Sequence, residues 1–431
     1  MEILNFLMMG FEVALQPKNL LIAFIGAFIG TIVGLLPGLG PINGVAILLP
    51  FAYALGLPVD SALILLAAVY LGCEYGGRIS AILLNVPGDA GAIMTTLDGY
   101  PMAQQGKAGI ALSLSSVSSF IGSTIAFIGI VLFAPLLAKW AISFGPAEYF
   151  VLMVFAIVCL TGLVSTQPVK TFLMALLGLG LSTVGMDAIT GVYRFTFDSV
   201  GLSDGIAFTT LVIGLFSVSE ILLLLERTAI GKVALKQGKR SLFNIKEFFS
   251  ALATIIRGSF IGFFSGILPG AGATVASAMA YTTERKIAKD NSQFGKSDLR
   301  GLAAPESANN AAACGSFVPM LTLGVPGSGT TAVMMGALLM YNIAPGPQLF
   351  TEQPTLVWAL IASLMVGNII LLVLNLPLVG FFAKMLSVPS YILIPIIATV
   401  SFIGVYAIHS NVFDLLLCLG LGVCGYIVSV R

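Results

Sequence analysis

The first residues that could carry chemistry form a short polar run in an otherwise apolar sequence. Glu306, Ser307, Asn309 and Asn310 stand among alanines, whose small side chains let a ligand or another helix come close. Amide groups donate hydrogen bonds to carboxylate oxygens, and they offer oxygen atoms to Na⁺. We predict that Ser307, Asn309 and Asn310 bind a ligand and that Glu306 binds a proton or Na⁺. The alternative is that these side chains join neighbouring helices by hydrogen bonds.

The composition places this run in a membrane protein. The chain has 431 residues, of which 58% are hydrophobic and 9% are charged. A soluble domain carries about 25% charged residues, so we predict an all-α polytopic membrane protein. The net charge of +1 indicates no nucleic-acid partner. One histidine, five cysteines without metal-ligand spacing and no nucleophile or phosphate-loop motif predict no enzyme, no metal site and no cofactor.

Two ionisable residues of opposite charge, Glu74 and Arg78, lie in another apolar stretch. They are four positions apart, so on a helix they share a face and can form an ion pair. Ionisable groups inside a membrane are costly and are functional candidates by default. We predict an intramembrane pair of Glu74 with Arg78, which has either a structural role or a functional one.

Two Pro-Gly sequences interrupt apolar helices and precede residues that favour helix starts. Asn85–Asp89 reads Asn-Val-Pro-Gly-Asp, and Gly324–Ser328, 239 positions later, reads Gly-Val-Pro-Gly-Ser. Asp89 and Ser328 suit the N-cap position, and the free N–H groups of a helix start attract anions. We predict ligand contacts from both segments, at Asn85, Pro87, Gly88, Pro326, Gly327, Ser328 and Thr330, with ordinary capping as the alternative. Since Asp89 would oppose an anion, we predict that it is protonated or binds a cation.

A longer repeat contains a second pair of breaks. Residues 26–40 and 258–272 agree at nine of fifteen positions, and both end in Pro-Gly-x-Gly. Proline removes a backbone donor and glycine admits positive φ, so each helix must end there. The predicted structural breaks are Pro37, Gly38, Gly40, Pro269, Gly270 and Gly272. In lipid, a broken backbone is tolerated only where it is buried in protein or lines a wet cavity.

The same two breaks in the same order indicate two homologous halves, and such paired breaks point to a transporter binding site. Eleven of the 20 Lys and Arg residues fall at 227–246 and 285–300, which the positive-inside rule places in the cytoplasm. The segment between these clusters must enter and leave on one side, as a re-entrant hairpin can. The first copy has no such basic cluster after it. We therefore predict an inverted-topology repeat, with broken or re-entrant helices that meet near the membrane midplane.

These boundaries divide the chain into four parts: an interfacial N-terminal segment 1–19, a first transmembrane repeat 20–226, a cytoplasmic linker 227–250 and a second transmembrane repeat 251–431. Helices are predicted near 1–15, 20–36, 42–57, 61–84, 108–138, 146–164, 169–187, 205–225, 251–268, 273–283, 302–325, 330–343, 354–385, 389–408 and 411–430. We also predict that the two second-half breaks, Pro269-Gly270 and Pro326-Gly327, converge.

Several of these motifs, in this order, resemble the large membrane subunit of tripartite tricarboxylate transporters, and the resemblance covers nearly the whole chain. The motifs are Gly34-Leu35-Leu36-Pro37-Gly38-Leu39-Gly40-Pro41, Tyr75-Gly76-Gly77, Asn85-Val86-Pro87-Gly88, Leu97-Asp98-Gly99-Tyr100-Pro101, Leu268-Pro269-Gly270-Ala271-Gly272, Ala304-Pro305-Glu306-Ser307-Ala308-Asn309-Asn310 and Thr322-Leu323-Gly324-Val325-Pro326-Gly327-Ser328. Asp89 departs from the pattern, since many relatives have a small neutral residue there. Relatives usually continue beyond the position of Arg431, so we expect a second repeat that is C-terminally incomplete.

The resemblance implies a secondary transporter that is a multi-pass protein of the bacterial inner membrane. It implies two partners, a small four-helix membrane subunit and a periplasmic solute-binding protein. The implied substrates are citrate-like tricarboxylates and other small carboxylates, driven by a gradient of a coupling cation, H⁺ or Na⁺, and not by ATP. The alternatives are a stand-alone ion channel, with the broken helices as its filter, and a symporter that needs no binding protein.

Overall fold

The computed structural model describes most of the chain. The described residues are 2–36, 39–163, 168–187, 191–227, 243–290, 292–378, 381, 390–409 and 411–430. Two of the predicted breaks, Pro37 and Gly38, lie outside them.

Helices make up 80% of the structure, which agrees with the predicted helical membrane class. The helices of the first half are α1 (Glu2–Ala14), α2 (Pro17–Leu35), α3 (Gly40–Ala54), α4 (Val59–Leu84), α5 (Ile93–Gln104), α6 (Ala108–Ala141), α7 (Pro146–Leu163), α8 (Pro168–Ser182), α9 (Phe208–Val212) and α10 (Ser219–Arg227). Those of the second half are α11 (Ile245–Ile267), α12 (Gly272–Ile287), α13 (Leu299–Gly315), α14 (Phe317–Leu323), α15 (Gly329–Met340), α16 (Leu349–Glu352), α17 (Pro354–Asn375), α18 (Ser390–His409) and α19 (Val412–Val430).

The all-helical prediction missed a small antiparallel ladder. Strand β1 (Gly185–Met186) pairs with strand β2 (Tyr193–Arg194), and Gly185 lies opposite Arg194. Two short 3₁₀ helices, Ala90–Ala92 and Val200–Leu202, also join longer elements. A π-helical turn at Ile213–Val218 connects α9 to α10.

In the described part of the chain, five helices are each long and apolar enough to cross a bilayer: α2, α4, α6, α11 and α17. Their apolar stretches match the length of about 20 residues that a hydrocarbon core requires. Most of α4 is buried inside the protein, whereas α2, α6 and α11 have less of their surface buried. The chain is therefore a membrane protein in which α4 is an internal helix. The sense in which each half crosses the membrane stays a prediction.

The chain forms two compact units, and both halves of the sequence contribute to each of them. The first contains residues 1–45, 58–149 and 231–388, and the second contains 46–57, 150–230 and 389–431. In the second unit, Ile213, Val218, Val405 and Cys418 form a buried apolar cluster. The division into repeats at 20–226 and 251–431 follows the sequence and stays a prediction.

In the first unit, the packing of α2 against α4 is repeated by α11 against α13. A Cβ added to Gly30 would lie 2.8 Å from Cα of Val69, and a Cβ added to Gly262 would lie 2.6 Å from Cα of Ala308. The two glycines are 232 positions apart, and their two neighbours are 239 apart. These are the offsets of the sequence repeats. Both halves therefore build the same glycine-mediated helix contact, α2 with α4 in the first half and α11 with α13 in the second.

The helix ends at the breaks also correspond. Asn85 ends α4 with φ of 59°, and its counterpart Gly324 ends α14 with φ of 68°. Gly40 and Gly272, at the start of α3 and α12, have φ of 60° and 57°. Left-handed backbone is accessible to glycine at little cost and to asparagine more readily than to most residues. The breaks are thus set by local backbone chemistry.

Candidate functional site

The two breaks of each half meet inside the first unit. In the second half, the backbone N–H of Gly270 donates a hydrogen bond of 3.2 Å to the carbonyl of Gly327, so these two breaks converge as predicted. In the first half, a Cβ on Gly88 would overlap the carbonyl oxygen of Gly34, and a Cβ on Gly40 would lie 3.5 Å from Cβ of Asp89. The depth of these junctions in a bilayer stays a prediction.

The residue after each Pro-Gly caps a new helix. Asp89 accepts a hydrogen bond of 2.9 Å from the backbone N–H of Ala92, and Ser328 accepts one of 3.2 Å from that of Thr331. The first cap starts the short turn Ala90–Ala92, which leads into α5, and the second starts α15. The predicted capping is therefore formed on both sides. Pro87 and Thr330 lie beside these caps, and their predicted contact with a ligand is untested.

The predicted ion pair of Glu74 with Arg78 is not formed. Glu74 is 2% exposed and accepts a hydrogen bond of 2.9 Å from Nδ2 of Asn309 on α13. Arg78 is fully buried and points to α6 and α17 instead, where its Nη2 donates to Oδ1 of Asn375 at 3.1 Å. Helical spacing brought the two side chains to one face of α4, but different neighbouring helices supply their partners.

Arg78 is held by neutral oxygen atoms. Its Nη1 donates to Oγ of Ser115 and Ser116, both at 2.8 Å, and to the carbonyl of Leu112 at 3.1 Å. Its Nε donates to the carbonyl of Tyr75 at 2.9 Å. Burying a charge is expensive unless hydrogen bonds and a countercharge compensate it. The acidic side chain that interacts electrostatically with Arg78 is Glu306.

Glu306 lies fully buried between three helices. Its Oε1 accepts a hydrogen bond from the hydroxyl of Thr95 on α5, and its Oε2 accepts one of 3.0 Å from Ser119 on α6. Each carboxylate oxygen therefore has a hydroxyl donor. The serines of α6 serve both Arg78 and Glu306, and they link the two charges through one helix face.

The α6 serines were not among the predicted site residues. Five buried serines lie within seven positions of a helix that is otherwise strongly hydrophobic: Ser113, Ser115, Ser116, Ser118 and Ser119. This concentration of hydroxyl groups was the available signal. A serine in a helix can also donate to a backbone carbonyl of the same helix, as Ser118 does to Leu114, so serine alone does not indicate a functional site.

The two adjacent asparagines point to different neighbours. Nδ2 of Asn310 donates to the backbone carbonyl of Glu306 at 3.2 Å, one turn earlier in the same helix. Nδ2 of Asn309 crosses to Glu74. Oδ1 of each amide is buried and has no hydrogen-bond partner among the described residues. Ser307 donates within its own helix, to the carbonyl of Ala304, so its role here is local.

The polar contacts between the halves follow the repeat. Tyr70, the counterpart of Asn309 at the offset of 239, lies on α4 and reaches Oγ of Ser328 at 3.2 Å in the second half. Asn309 reaches back, and a Cβ on Gly91, next to the Asp89 cap, would overlap its Oδ1. Each half therefore places a polar side chain of one helix, α4 in the first half and α13 in the second, against the helix cap of the other half.

A further carboxylate with no predicted role, Asp98, joins α5 to the loop before α13. Asp98 is fully buried, and its Oδ1 accepts from the backbone N–H groups of Gly295, Ser297 and Asp298 at 2.8–3.0 Å. The hydroxyl of Tyr281 donates to its Oδ2 at 3.1 Å. The sequence could not show this, because the partners are more than 180 positions away and most of them are backbone groups.

We expect Asp98→Asn to lower the stability of the folded protein by about 2–4 kcal/mol. The amide removes the charge and replaces one acceptor oxygen by a donor, while hydrogen bonds to charged groups contribute about 1.5–3 kcal/mol each. The measurement is thermal unfolding in detergent. Asp290→Asn is the control, since Asp290 is an exposed residue near the same loop. An equal effect of both changes would contradict the role given to Asp98.

The described part of the chain contains no group of three or more His, Cys, Asp or Glu side chains arranged to hold a metal ion. The buried polar centre consists instead of single carboxylates, amides, hydroxyls and one guanidinium. Its side chains come from α4, α5, α6, α13 and α17, and from the cap before α5. Such a centre can bind small ions through oxygen atoms or an anion through N–H and O–H groups.

These features define the class: a polytopic helical membrane protein in which charged side chains are buried where broken helices of two repeats meet. The chain belongs to the tripartite tricarboxylate transporter TctA family, whose model matches residues 20–430. The family assignment that the motifs suggested is thereby confirmed.

Two proteins of Agrobacterium vitis are similar to the chain. One, described as an uncharacterized 52.8 kDa protein in the TAR-I ttuC' 3'region, is 40% identical over 428 residues, which cover 99% of this chain and 85% of that protein. The other, described as an uncharacterized protein in the TAR-II ttuC' 3'region, is 44% identical over 167 residues, which cover 39% of this chain and 69% of that protein. No solved structure matches the chain.

Proposed function

We propose that the protein carries small carboxylates, citrate-like tricarboxylates or related di- and monocarboxylates, across the bacterial inner membrane by cation-coupled secondary transport. Membership of the tripartite family supports this proposal. The family's description also supports two partners, a small membrane subunit and a periplasmic solute-binding protein. The observation that carries the proposal is the buried set of Glu74, Arg78, Glu306 and Asn309 at the junction of the broken helices.

Cation coupling follows from the charge of the proposed substrate. A carboxylate with two or three negative charges enters against about 2.3 kcal/mol per charge for each 100 mV of membrane potential. Uptake therefore requires cations that travel with the substrate. Buried acids are the groups that can bind such cations, and the sequence prediction named Glu306 and Asp89 for this role. Glu74 joins them, because it does not pair with Arg78.

The substrate itself needs donors. The helix starts at Asp89 and Ser328 bring backbone N–H groups close to the junction. Hydroxyls of Tyr70, Ser316 and Ser328 form one connected group beside the second start. We propose that a carboxylate group of the substrate binds here by replacing contacts within this hydroxyl group.

The test is uptake of radiolabelled citrate, succinate and acetate into proteoliposomes that contain this protein, its membrane partner and its binding protein. We expect saturable accumulation that depends on the binding protein and on an inward gradient of Na⁺ or H⁺. Separate gradients, with a protonophore as control, identify the coupling cation. Ion currents without a binding protein and without accumulation would support the channel instead, and accumulation without the binding protein would support an independent symporter.

A further inference from the structure

The side chain of Asn309 lies between two acidic residues of the first half. It is 1% exposed, and its Nδ2 donates to Oε2 of Glu74 at 2.9 Å. On its other side the amide faces the Asp89 cap: a Cβ on Gly91 would overlap Oδ1 of Asn309 and would lie 3.1 Å from Oδ1 of Asp89. One amide thus separates Glu74 from Asp89.

The oxygen atoms on the Asp89 side have unmet bonding capacity. Oδ1 of Asn309 and Oδ2 of Asp89 are both buried, and neither has a hydrogen-bond partner in the described part of the chain. Buried polar atoms in folded proteins are nearly always paired, and those that are not mark a bound ion, a water or a functional group. The two atoms belong to different halves of the protein. Oδ1 of Asn309 lies against Gly91, and Oδ2 of Asp89 lies against Gly77, three positions after Glu74 on α4.

An amide between two carboxylates cannot satisfy both. It has one donor edge and one acceptor edge. In this structure the donor edge faces Glu74, and the oxygen lies against Gly91 on the side of the Asp89 cap. Rotating the amide by half a turn would turn the oxygen towards Glu74 and leave that carboxylate without its donor. Either orientation leaves an oxygen acceptor on the side of an acidic residue, and a cation bound by these oxygen atoms removes the conflict.

We propose that Glu74, Asp89 and Asn309 form a binding site for a monovalent cation, held by carboxylate and amide oxygen atoms. Such oxygen atoms bind Na⁺ directly, and they bind a proton when a carboxylic acid donates to the amide oxygen. Two acids and one amide suit a single charge, since the described residues bring no third acid, histidine or cysteine into a metal-binding group. The role of this cation in coupling rests on the proposed transport function, whereas its binding does not.

The site is distinct from Glu306, which the sequence favoured for the coupling cation. Both oxygens of Glu306 already accept hydroxyl hydrogens, and Arg78 supplies a countercharge. At Glu74 and Asp89 the described residues supply no cationic partner. The titratable groups that interact with these two acids are Tyr70, Cys73, Glu306 and Cys314.

The experiment measures cation binding by the purified chain, without substrate or transport. Thermal unfolding in detergent is followed by tryptophan fluorescence while NaCl replaces choline chloride at constant ionic strength, at several fixed pH values. We expect saturable stabilisation by one of the two cations. Stabilisation by NaCl at fixed pH identifies Na⁺, and a dependence on pH in choline chloride identifies the proton.

Three variants locate the site. Asp89→Asn keeps the helix cap, because asparagine caps as well as aspartate, and Glu74→Gln keeps the size of the side chain. We expect each to raise the half-saturating Na⁺ concentration at least tenfold, or to remove the pH dependence if the cation is a proton. Gly91→Ala should act in the same direction by displacing Oδ1 of Asn309. Asp60→Asn, at the other end of α4, is the matched control and should leave the cation effect unchanged.

The proposal is overturned if the parent protein shows no stabilisation by either cation, or if Asp89→Asn and Glu74→Gln respond as the parent does. Asp89→Asn alone decides the matter if Glu74→Gln does not fold. The outcomes also separate this site from the proposed function. Cation binding without carboxylate uptake would support the cation site and contradict the proposed transport function. Gradient-driven uptake, with cation binding unchanged in both variants, would support the transport function and contradict the cation site.

Discussion

Arg78→Gln is expected to lose stable folded protein and, with it, all transport. The guanidinium is fully buried and donates to oxygen atoms of α4, α6 and α17, so it joins three helices. Glutamine is too short and has too few donors to reach them all. It also removes the positive charge that interacts electrostatically with Glu306. Hydrogen bonds to charged groups contribute about 1.5–3 kcal/mol each, so we expect the loss of several of them to lower the stability by about 3–5 kcal/mol.

A second change tests the electrostatic part of this loss. In the double variant Arg78→Gln/Glu306→Gln, neither charge remains, and we expect it to be more stable than Arg78→Gln alone. The measurement is the double-mutant cycle from thermal unfolding in detergent. Arg194→Gln is the control, because its ion pair with Asp187 is 48% exposed at Arg194 and exposed pairs contribute about 0–1 kcal/mol. Additive effects of the two changes would show that Glu306 is not the countercharge.

These contacts bear on the coupling role that the sequence gave to Glu306. From the sequence, Glu306 is an acid among small residues in an apolar helix, which predicts a bound cation. The structure adds two hydroxyl donors and a guanidinium that interacts electrostatically with Glu306, so both carboxylate oxygen atoms have partners without a bound cation. Uptake by Glu306→Gln under Na⁺ and H⁺ gradients decides between a coupling role and a structural role for Glu306. Loss of gradient-driven uptake in a folded variant would support coupling, and unchanged ion dependence would support the structural role.

What the sequence could predict depends on local chemistry. Helix α11 ends at Ile267 and α12 begins at Gly272, on either side of the Pro269-Gly270 break, because proline and glycine stop a helix whatever surrounds them. The predicted helix near 108–138 is α6 at Ala108–Ala141. The N-caps at Asp89 and Ser328 follow from the same local rules.

One helix boundary was missed although its cause is local. The prediction joined 302–325 into one helix, whereas α13 ends at Gly315 and α14 begins at Phe317. Pro319 explains the interruption, since the ring of a proline clashes with the carbonyl four residues earlier and supplies no N–H. The corresponding helix α4 has no proline at this place and continues without a break.

Side-chain partners were beyond the sequence. Glu74 and Arg78 have the spacing of an ion pair, but the choice of partner depends on which helices pack around α4. Asn309 and Ser115, which the two charges contact, are 235 and 37 positions away along the chain. Spacing on one helix gives the face, and only the fold gives the neighbours on that face.

The second large effect is expected at the glycines of the Pro-Gly tips. We expect Gly88→Ala and Gly327→Ala each to prevent the junction of the breaks and to abolish transport. A Cβ on Gly88 would lie 2.6 Å from Cα of Gly77, and one on Gly327 would lie 2.7 Å from Cα of Ser316. Both contacts are with backbone, which cannot rotate away as a side chain can. Overpacking typically costs about 1–3 kcal/mol and occasionally more, and here the strain falls on the proposed binding site.

Gly178→Ala is the matched control. Gly178 lies within α8, and a Cβ there would meet no atom within 4 Å, so the same methyl group should raise stability slightly through helix propensity. The measurements are the yield of monodisperse protein, its unfolding temperature and carboxylate uptake in proteoliposomes. Because Gly77 and Ser316 are counterparts at the repeat offset, the two tip variants should fail together and by similar amounts. Normal uptake by Gly88→Ala or Gly327→Ala would mean that the close contact of that glycine with Gly77 or Ser316 is not needed for transport.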